Sequence, residues 1–443
     1  MLTTRALRRF LKDRRASIAP MFAVILVPLV GLTGAAVDFS TANRVRTALL
    51  AAADSASIGS IVKSSNAMAA AVAMNQNGNI AVGVTDAKNI FNAQIAGKSN
   101  IPTPTLTVTV AKSSNTVTST VSFSAAVPMS FMRLLGVTTM TVTGTSVSEN
   151  SLPIFIDFYL LLDNTPSMGV GATTADINTM VNNTPDQCAF ACHDLSNSNS
   201  YYNLAKSLGV TMRIDVLRTA TQQLMTTAAA TETYSNQFRM AIYTFGSSAT
   251  NPGLTTIQSI TSNLTTAQNS AANIDLMTVP YQNYADDTDT NFDSILPAMN
   301  SAIPTPGSGA TSSQPQKVLF FVSDGVADEV NPSGGCTQPT VNGSDPQTHQ
   351  NYVRCQEPLT VSLCTAIKNR GIKIAVLYTT YLPLPTNAWY NSYVAPFTST
   401  ISTNMQNCAS PGLYFEVSTS NGSISQAMVA LFQQAVNQAH LTQ

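Results

Sequence analysis

Charge is scarce in this chain. Only 10% of its 443 residues are Asp, Glu, Lys or Arg, against about 25% in typical soluble domains. Histidine occurs three times (His193, His349, His440), and no HExxH or GxSxG sequence is present. The nearest approach, Thr165-Pro166-Ser167-Met168-Gly169, has Thr where the serine-hydrolase turn requires Gly. The chain also lacks a P-loop and a GxGxxG run, so neither an enzyme nor a nucleotide-binding protein is expected. Positive charge is clustered only in residues 1–16, which hold six basic side chains and one acid; beyond them 16 basic residues face 22 acidic ones, a net −6. Nucleic acid is therefore excluded as a partner of the body of the protein.

What is present begins with a long apolar run. Ile18 to Val37, IAPMFAVILVPLVGLTGAAV, is twenty residues without a charge, between Arg15 and Asp38. As a helix it would rise about 30 Å, the thickness of a bilayer's hydrocarbon core. The expected organisation is a cytoplasmic basic tail at 1–16, a membrane span at 17–37, and export of everything after Asp38 by the positive-inside rule. The alternative is a cleaved signal peptide ending at the small residues Gly34, Ala35 and Ala36. The run is longer than the usual signal core, which favours an anchor over cleavage.

From Asp38 to about Ala96 the sequence is Ala-rich and helix-forming, with a break expected at Asn75 to Asn79. Arg14 and Arg15, the span, Asp38, Arg44, Arg46 and the run Ala51 to Ala56 around Asp54 together resemble the TadG-like N-terminal region of Tad/Flp pilus assembly. Processing as a pilin is not expected, because Ala16 and Ser17 stand where a prepilin peptidase requires Gly and the run contains no Glu. Residues 105–111, 116–127 and 138–148 then alternate Thr or Ser with Val, the period of strands with one buried face, and Ser130 to Gly136 is read as a helical turn between two of them. Residues 38–150 are thus expected to form a small α+β membrane-proximal module.

Residues 151–443 alternate strand and helix patterns. Strands are expected at 155–162, 238–245, 317–323, 372–379 and 413–417, and helices at 212–230, 291–302, 358–369 and 423–438. Such alternation implies an α/β fold, a doubly wound and mostly parallel sheet covered on both faces.

The first of these strands ends on Asp163 and is followed at alternate positions by Thr165 and Ser167. Oxygen donors delivered at the C-terminal edge of such a sheet suit a hard divalent cation. The Asp-x-Thr-x-Ser pattern is similar to the Asp-x-Ser-x-Ser signature of von Willebrand factor A-type (VWA) domains, which build a metal-ion-dependent adhesion site. The resemblance extends to Thr290 in Asp289-Thr290-Asn291 and to Asp324 in Ser323-Asp324-Gly325. It departs where Thr165 replaces Ser and Asp289 replaces Gly. The family implies a Mg²⁺ site formed by Asp163, Thr165, Ser167, Thr290 and Asp324, with Mn²⁺ or Ca²⁺ as alternatives, and an open position that takes an acidic side chain from a partner protein. Turn and cap chemistry alone would also place these residue types here.

All six cysteines, Cys188, Cys192, Cys336, Cys355, Cys364 and Cys408, lie beyond the span, where disulfides are permitted. Proximity in the chain favours Cys188 with Cys192 and Cys336 with Cys355, leaving Cys364 with Cys408. Cys188 and Cys192 have three residues between them before His193, whereas haem attachment normally uses two, so a disulfide is preferred. Together the two resemblances imply a scaffold or adhesion module of pilus assembly, anchored in a bacterial inner membrane with its bulk periplasmic, whose partner is another pilus or envelope component. The runner-up is a secreted or surface VWA adhesin.

Overall fold

The computed structural model describes residues 18–191, 193–194, 197–281, 284, 290–330, 335–338, 341–344, 349, 351–381, 383–384, 388–417 and 423–441. The basic tail, Cys192 and Asp289 lie outside them. Two compact units divide between Leu152 and Pro153.

The first unit is organised by one helix, Ile18–Gly59, which runs through the apolar stretch and into the Ala-rich segment without a break. Residues 21–30 are exposed, whereas Gly34, Asp38, Ala42, Val45, Leu49, Ala52, Ala53, Ala56 and Ser57 are buried. This three- and four-residue spacing puts a single stripe of small and branched side chains against a sheet. A short strand β1 (Gly78–Asn79) and strands β2 (Thr105–Ser113), β3 (Thr116–Pro128) and β4 (Thr139–Ser151) pair antiparallel in the order β1-β2-β3-β4. Their valines alternate inward as the Thr/Val pattern requires, Val108, Val110, Val117, Val121 and Val142 being buried. Polar ties fix the helix along the strands: Arg46 donates to the Thr143 carbonyl at 3.0 Å, and the Ser57 hydroxyl bonds those of Ser146 and Ser148 at 2.9 and 2.8 Å. The expected break at Asn75 to Asn79 is present, and a second one separates Gly59 from the helix Asn66–Ala73, which Ser65 caps through the Met68 amide.

The second unit is built on a sheet whose order is β15-β14-β10-β5-β7-β9-β6, taking β5 as Ile156–Leu162, β6 as His193–Asp194, β7 as Phe238–Ser248, β9 as Thr278–Val279, β10 as Gln316–Ser323, β14 as Lys373–Thr379 and β15 as Tyr414–Val417. These neighbours pair in parallel, and β8 (Asn251–Thr261) adds an antiparallel edge to β7. The central strand β5 is buried on both faces. Its even positions Ile156, Phe158, Leu160 and Leu162 pack with the helices Arg213–Thr231 and Ile424–Leu441, while Tyr159 and Leu161 pack with Phe292–Ala302 and Thr398–Cys408. This is the doubly wound arrangement expected from the sequence.

Asp157, the one acid inside the strand, is explained by register. It sits opposite Arg239 on β7 and Lys317 on β10, and is ion-paired with both while 1% exposed. A buried carboxylate needs such partners, and this one fixes the alignment of three strands. A separate antiparallel sheet is formed by β11 (Val326–Val330), β12 (Val341–Ser344) and β13 (Asn351–Pro358), in the order β11-β13-β12. Cys336 is bridged to Cys355, and Cys364 to Cys408, with Cα atoms 5.4 and 5.1 Å apart. The pairing of Cys188 with Cys192 falls outside the described residues.

Candidate metal centre

Strands β10 and β5 are adjacent, and the chain leaves them toward opposite sides of the sheet. Their C-terminal edge is therefore the switch point at which open α/β sheets bind ligands. Asp163 follows β5 and Asp324 follows β10, so both carboxylates arrive there by strand register. Thr290 is delivered separately: it pairs with Asp328 of β11 through two backbone hydrogen bonds of 3.1 and 2.9 Å, just before Asn291 caps the helix Phe292–Ala302 through the Ser294 amide at 2.7 Å.

These elements bring the five side chains together. Asp163 Oδ1 accepts from the Thr165 amide at 3.0 Å and from its hydroxyl at 2.7 Å. The Thr165 and Ser167 hydroxyls are 3.2 Å apart, and the Thr290 hydroxyl donates to that of Thr165 at 2.9 Å. Asp163 Oδ2 accepts from the Ser323 hydroxyl at 2.6 Å. Asp324 Oδ1 accepts from the Val326 amide at 3.3 Å. Its Oδ2, buried, has no hydrogen-bond partner among the described residues.

Burial raises the pKa of both carboxyls above the carboxylate range. For Asp163 the hydroxyls of Ser323 and Thr165 pull the other way; for Asp324 the charge of Asp163 pushes further up and Arg213 opposes it. Ionising two buried carboxylates side by side is costly without a counter-charge, and an orphaned carboxylate oxygen is the expected mark of a missing electrophilic partner. The donor set is all oxygen, three hydroxyls and two carboxylates, which fits Mg²⁺ and excludes the sulfur and imidazole ligands that softer ions prefer. The residues present therefore fit a hard divalent cation.

Sequence reasoning missed three supporting groups. Arg213 is buried beside both acids, donates to the Thr380 carbonyl at 2.7 Å, and is lowered in pKa by burial against the pull of Asp324 and Asp163. The signal for it was its place at the first position of a helix, where a cation opposes the macrodipole. Asn164 clamps the loop, donating to the carbonyls of Gly246 and Asp275 at 2.7 and 3.1 Å and accepting from the Phe245 amide at 3.0 Å. Asp328 holds Arg354 in a two-point ion pair of 2.8 and 2.6 Å, and Arg354 lies over the Trp389 ring, which steadies the strand β11 against which Thr290 pairs. Gly325, at φ +75°, turns the chain where a Cβ would meet Ile401 and Met405 at 2.8 Å.

Residues 16–60 match the family described as putative Flp pilus-assembly TadE/G-like. No curated protein matches the chain. Similar solved structures include the vWF domain of the type V pili tip protein Mfa5 from Porphyromonas gingivalis, at 9% identity over 66% of this chain and 97% of that one, with a TM-score of 0.38. The pilus adhesin SpaC from Lactobacillus rhamnosus GG is 12% identical over 77% of this chain but only 35% of its own, with a TM-score of 0.35. The PilB minor pilin from Streptococcus sanguinis is 12% identical over 76% of this chain and 78% of its own, with a TM-score of 0.32.

Proposed function

We propose that this chain, whose residues 16–60 match a Tad/Flp pilus-assembly family, is a membrane-anchored, non-enzymatic component of pilus assembly that holds a partner protein through a metal-ion-dependent adhesion site. Asp163, Thr165, Ser167, Thr290 and Asp324 would hold the ion, some of them through water. When bound, Mg²⁺ would supply an electrophilic position open to one carboxylate. With Asp163, Asp324 and Arg213 it would sum to +1, the sign that attracts an Asp or Glu of the partner.

The observation that carries this reading is the convergence of five oxygen side chains from three separate segments around a carboxylate oxygen that no described group satisfies. The anchor reading is favoured by the helix Ile18–Gly59, because signal cleavage near Ala36 would cut it in mid-course. The test is capture of other Tad components by the full chain in Mg²⁺ or in EDTA, beside Asp163→Ala. Capture that needs both the cation and Asp163 supports the proposal; equal capture in all arms overturns it.

A further inference from the structure

The sheet surfaces of the first unit are clad in Thr and Ser, but one end is apolar. The connection between β3 and β4 closes with the Met129 amide on the Thr138 carbonyl at 3.0 Å and folds residues Met132–Leu135 into a 3₁₀ turn. Phe131 and Val137 are exposed there, Leu134 is 86% exposed and Leu135 69%. Side chains this apolar are ordinarily buried, and a cluster of them at one place marks a surface that another phase or molecule covers.

The turn is tied to the end of the apolar run. Asp38, buried at the first polar position after the run, accepts from the backbone amides of Ser130, Phe131 and Met132 at 2.9, 2.8 and 2.7 Å. Gly34 lies against Phe131, where a Cβ would come within 2.6 Å of the Phe131 side chain. Gly34 is one helical turn inside the run, about 6 Å along the axis from Asp38. The Phe131 side chain therefore stands at the depth of the last turn of the span, where Val37 is also exposed. Arg133 is exposed on the same turn, and its long stem can carry the guanidinium to lipid phosphates while the neighbouring leucines go deeper.

We propose that the turn Ser130–Gly136 is a membrane foot: Phe131, Leu134, Leu135 and Val137 insert into the outer part of the leaflet from which the helix emerges, with Arg133 at the headgroups. The proposal rests on the reading of residues 17–37 as a membrane span. Continuity with that span selects lipid over a protein as the occupant, since any surface flush with the last helical turn of a span is already in the interface, where amphipathic elements sit about 5–10 Å deep. The consequence is mechanical. A single helix can tilt and rotate freely in a bilayer, whereas a helix with a second attachment fixes the pose of the module it carries.

The test uses the full chain in lipid nanodiscs with brominated acyl chains and a thiol-reactive environment-sensitive dye at Leu134→Cys, at Val30→Cys in the span, or at Ser113→Cys at the far end of the sheet, with the unsubstituted chain as labelling control. The expected result is loss of emission at Leu134→Cys comparable with that at Val30→Cys, and none at Ser113→Cys. Quenching at Val30→Cys without quenching at Leu134→Cys overturns the foot and leaves the span standing. Absence of quenching at both overturns the span and the foot with it. A dye at Leu134→Cys shielded from aqueous iodide but not quenched by lipid means that protein covers the turn, which also overturns the proposal.

Discussion

The Thr290 hydroxyl donates to the Thr165 hydroxyl at 2.9 Å, and Thr165 in turn donates to Asp163 at 2.7 Å. Residues 125 positions apart in sequence thus form one hydrogen-bonded chain ending on a carboxylate. Removing the middle hydroxyl breaks it while leaving the volume nearly unchanged. Thr165→Val is expected to weaken Mg²⁺ binding about 10- to 100-fold, and Thr165→Ser to retain it, as read by calorimetric titration of the full chain.

Arg213 is expected to matter with the opposite sign. In the absence of metal it is the buried cation nearest the two acids, so Arg213→Met should lower the melting temperature in EDTA. The same change removes a repulsion from the ion, so the gain in melting temperature on adding Mg²⁺ should exceed that of the unsubstituted chain. Equal gains would show that Arg213 does not act on the site electrostatically.

The Cys364–Cys408 bridge joins the helices Val361–Lys368 and Thr398–Cys408 across a separation of 44 residues, and both cysteines are wholly buried. Replacing both by Ala is expected to cost about 2–4 kcal/mol, measured by denaturant unfolding of the full chain. Reducing agent should then have a smaller effect on the variant than on the parent.

Glu329 faces Asp293, Glu357 and Asp328, and burial foremost pushes its carboxyl up to about 7. A folded pKa above the unfolded one means that the acid favours the folded state in its protonated form. Its contribution is full below the ordinary Glu range and is lost as pH rises from about 4.5 through about 7. Glu329→Gln should flatten this part of the stability profile by on the order of 1–2 kcal/mol. A parallel profile for parent and variant would contradict the assignment.

The strands and helices that carry the centre were legible because each announces itself locally. An apolar run ending on Asp163 and another ending on Asp324 need no knowledge of the rest of the chain. Three kinds of feature were not legible. Asp157 has no local explanation within its apolar run, because its partners, Arg239 and Lys317, are set by strand register. The sheet of β11, β12 and β13 was absent from the expected strands because its pairings cross residues of turn-like composition. Arg213 was invisible because burial, which makes its charge matter, is a tertiary property.

Asp163 and its neighbours are expected to hold one divalent cation per chain. The most direct test is calorimetric titration of the full chain with Mg²⁺ and Mn²⁺, beside Asp163→Ala and Asp324→Asn. Binding of one ion per chain that is lost in both variants is the predicted result. Binding that survives in both, or an unsubstituted chain that takes up neither ion, would contradict it.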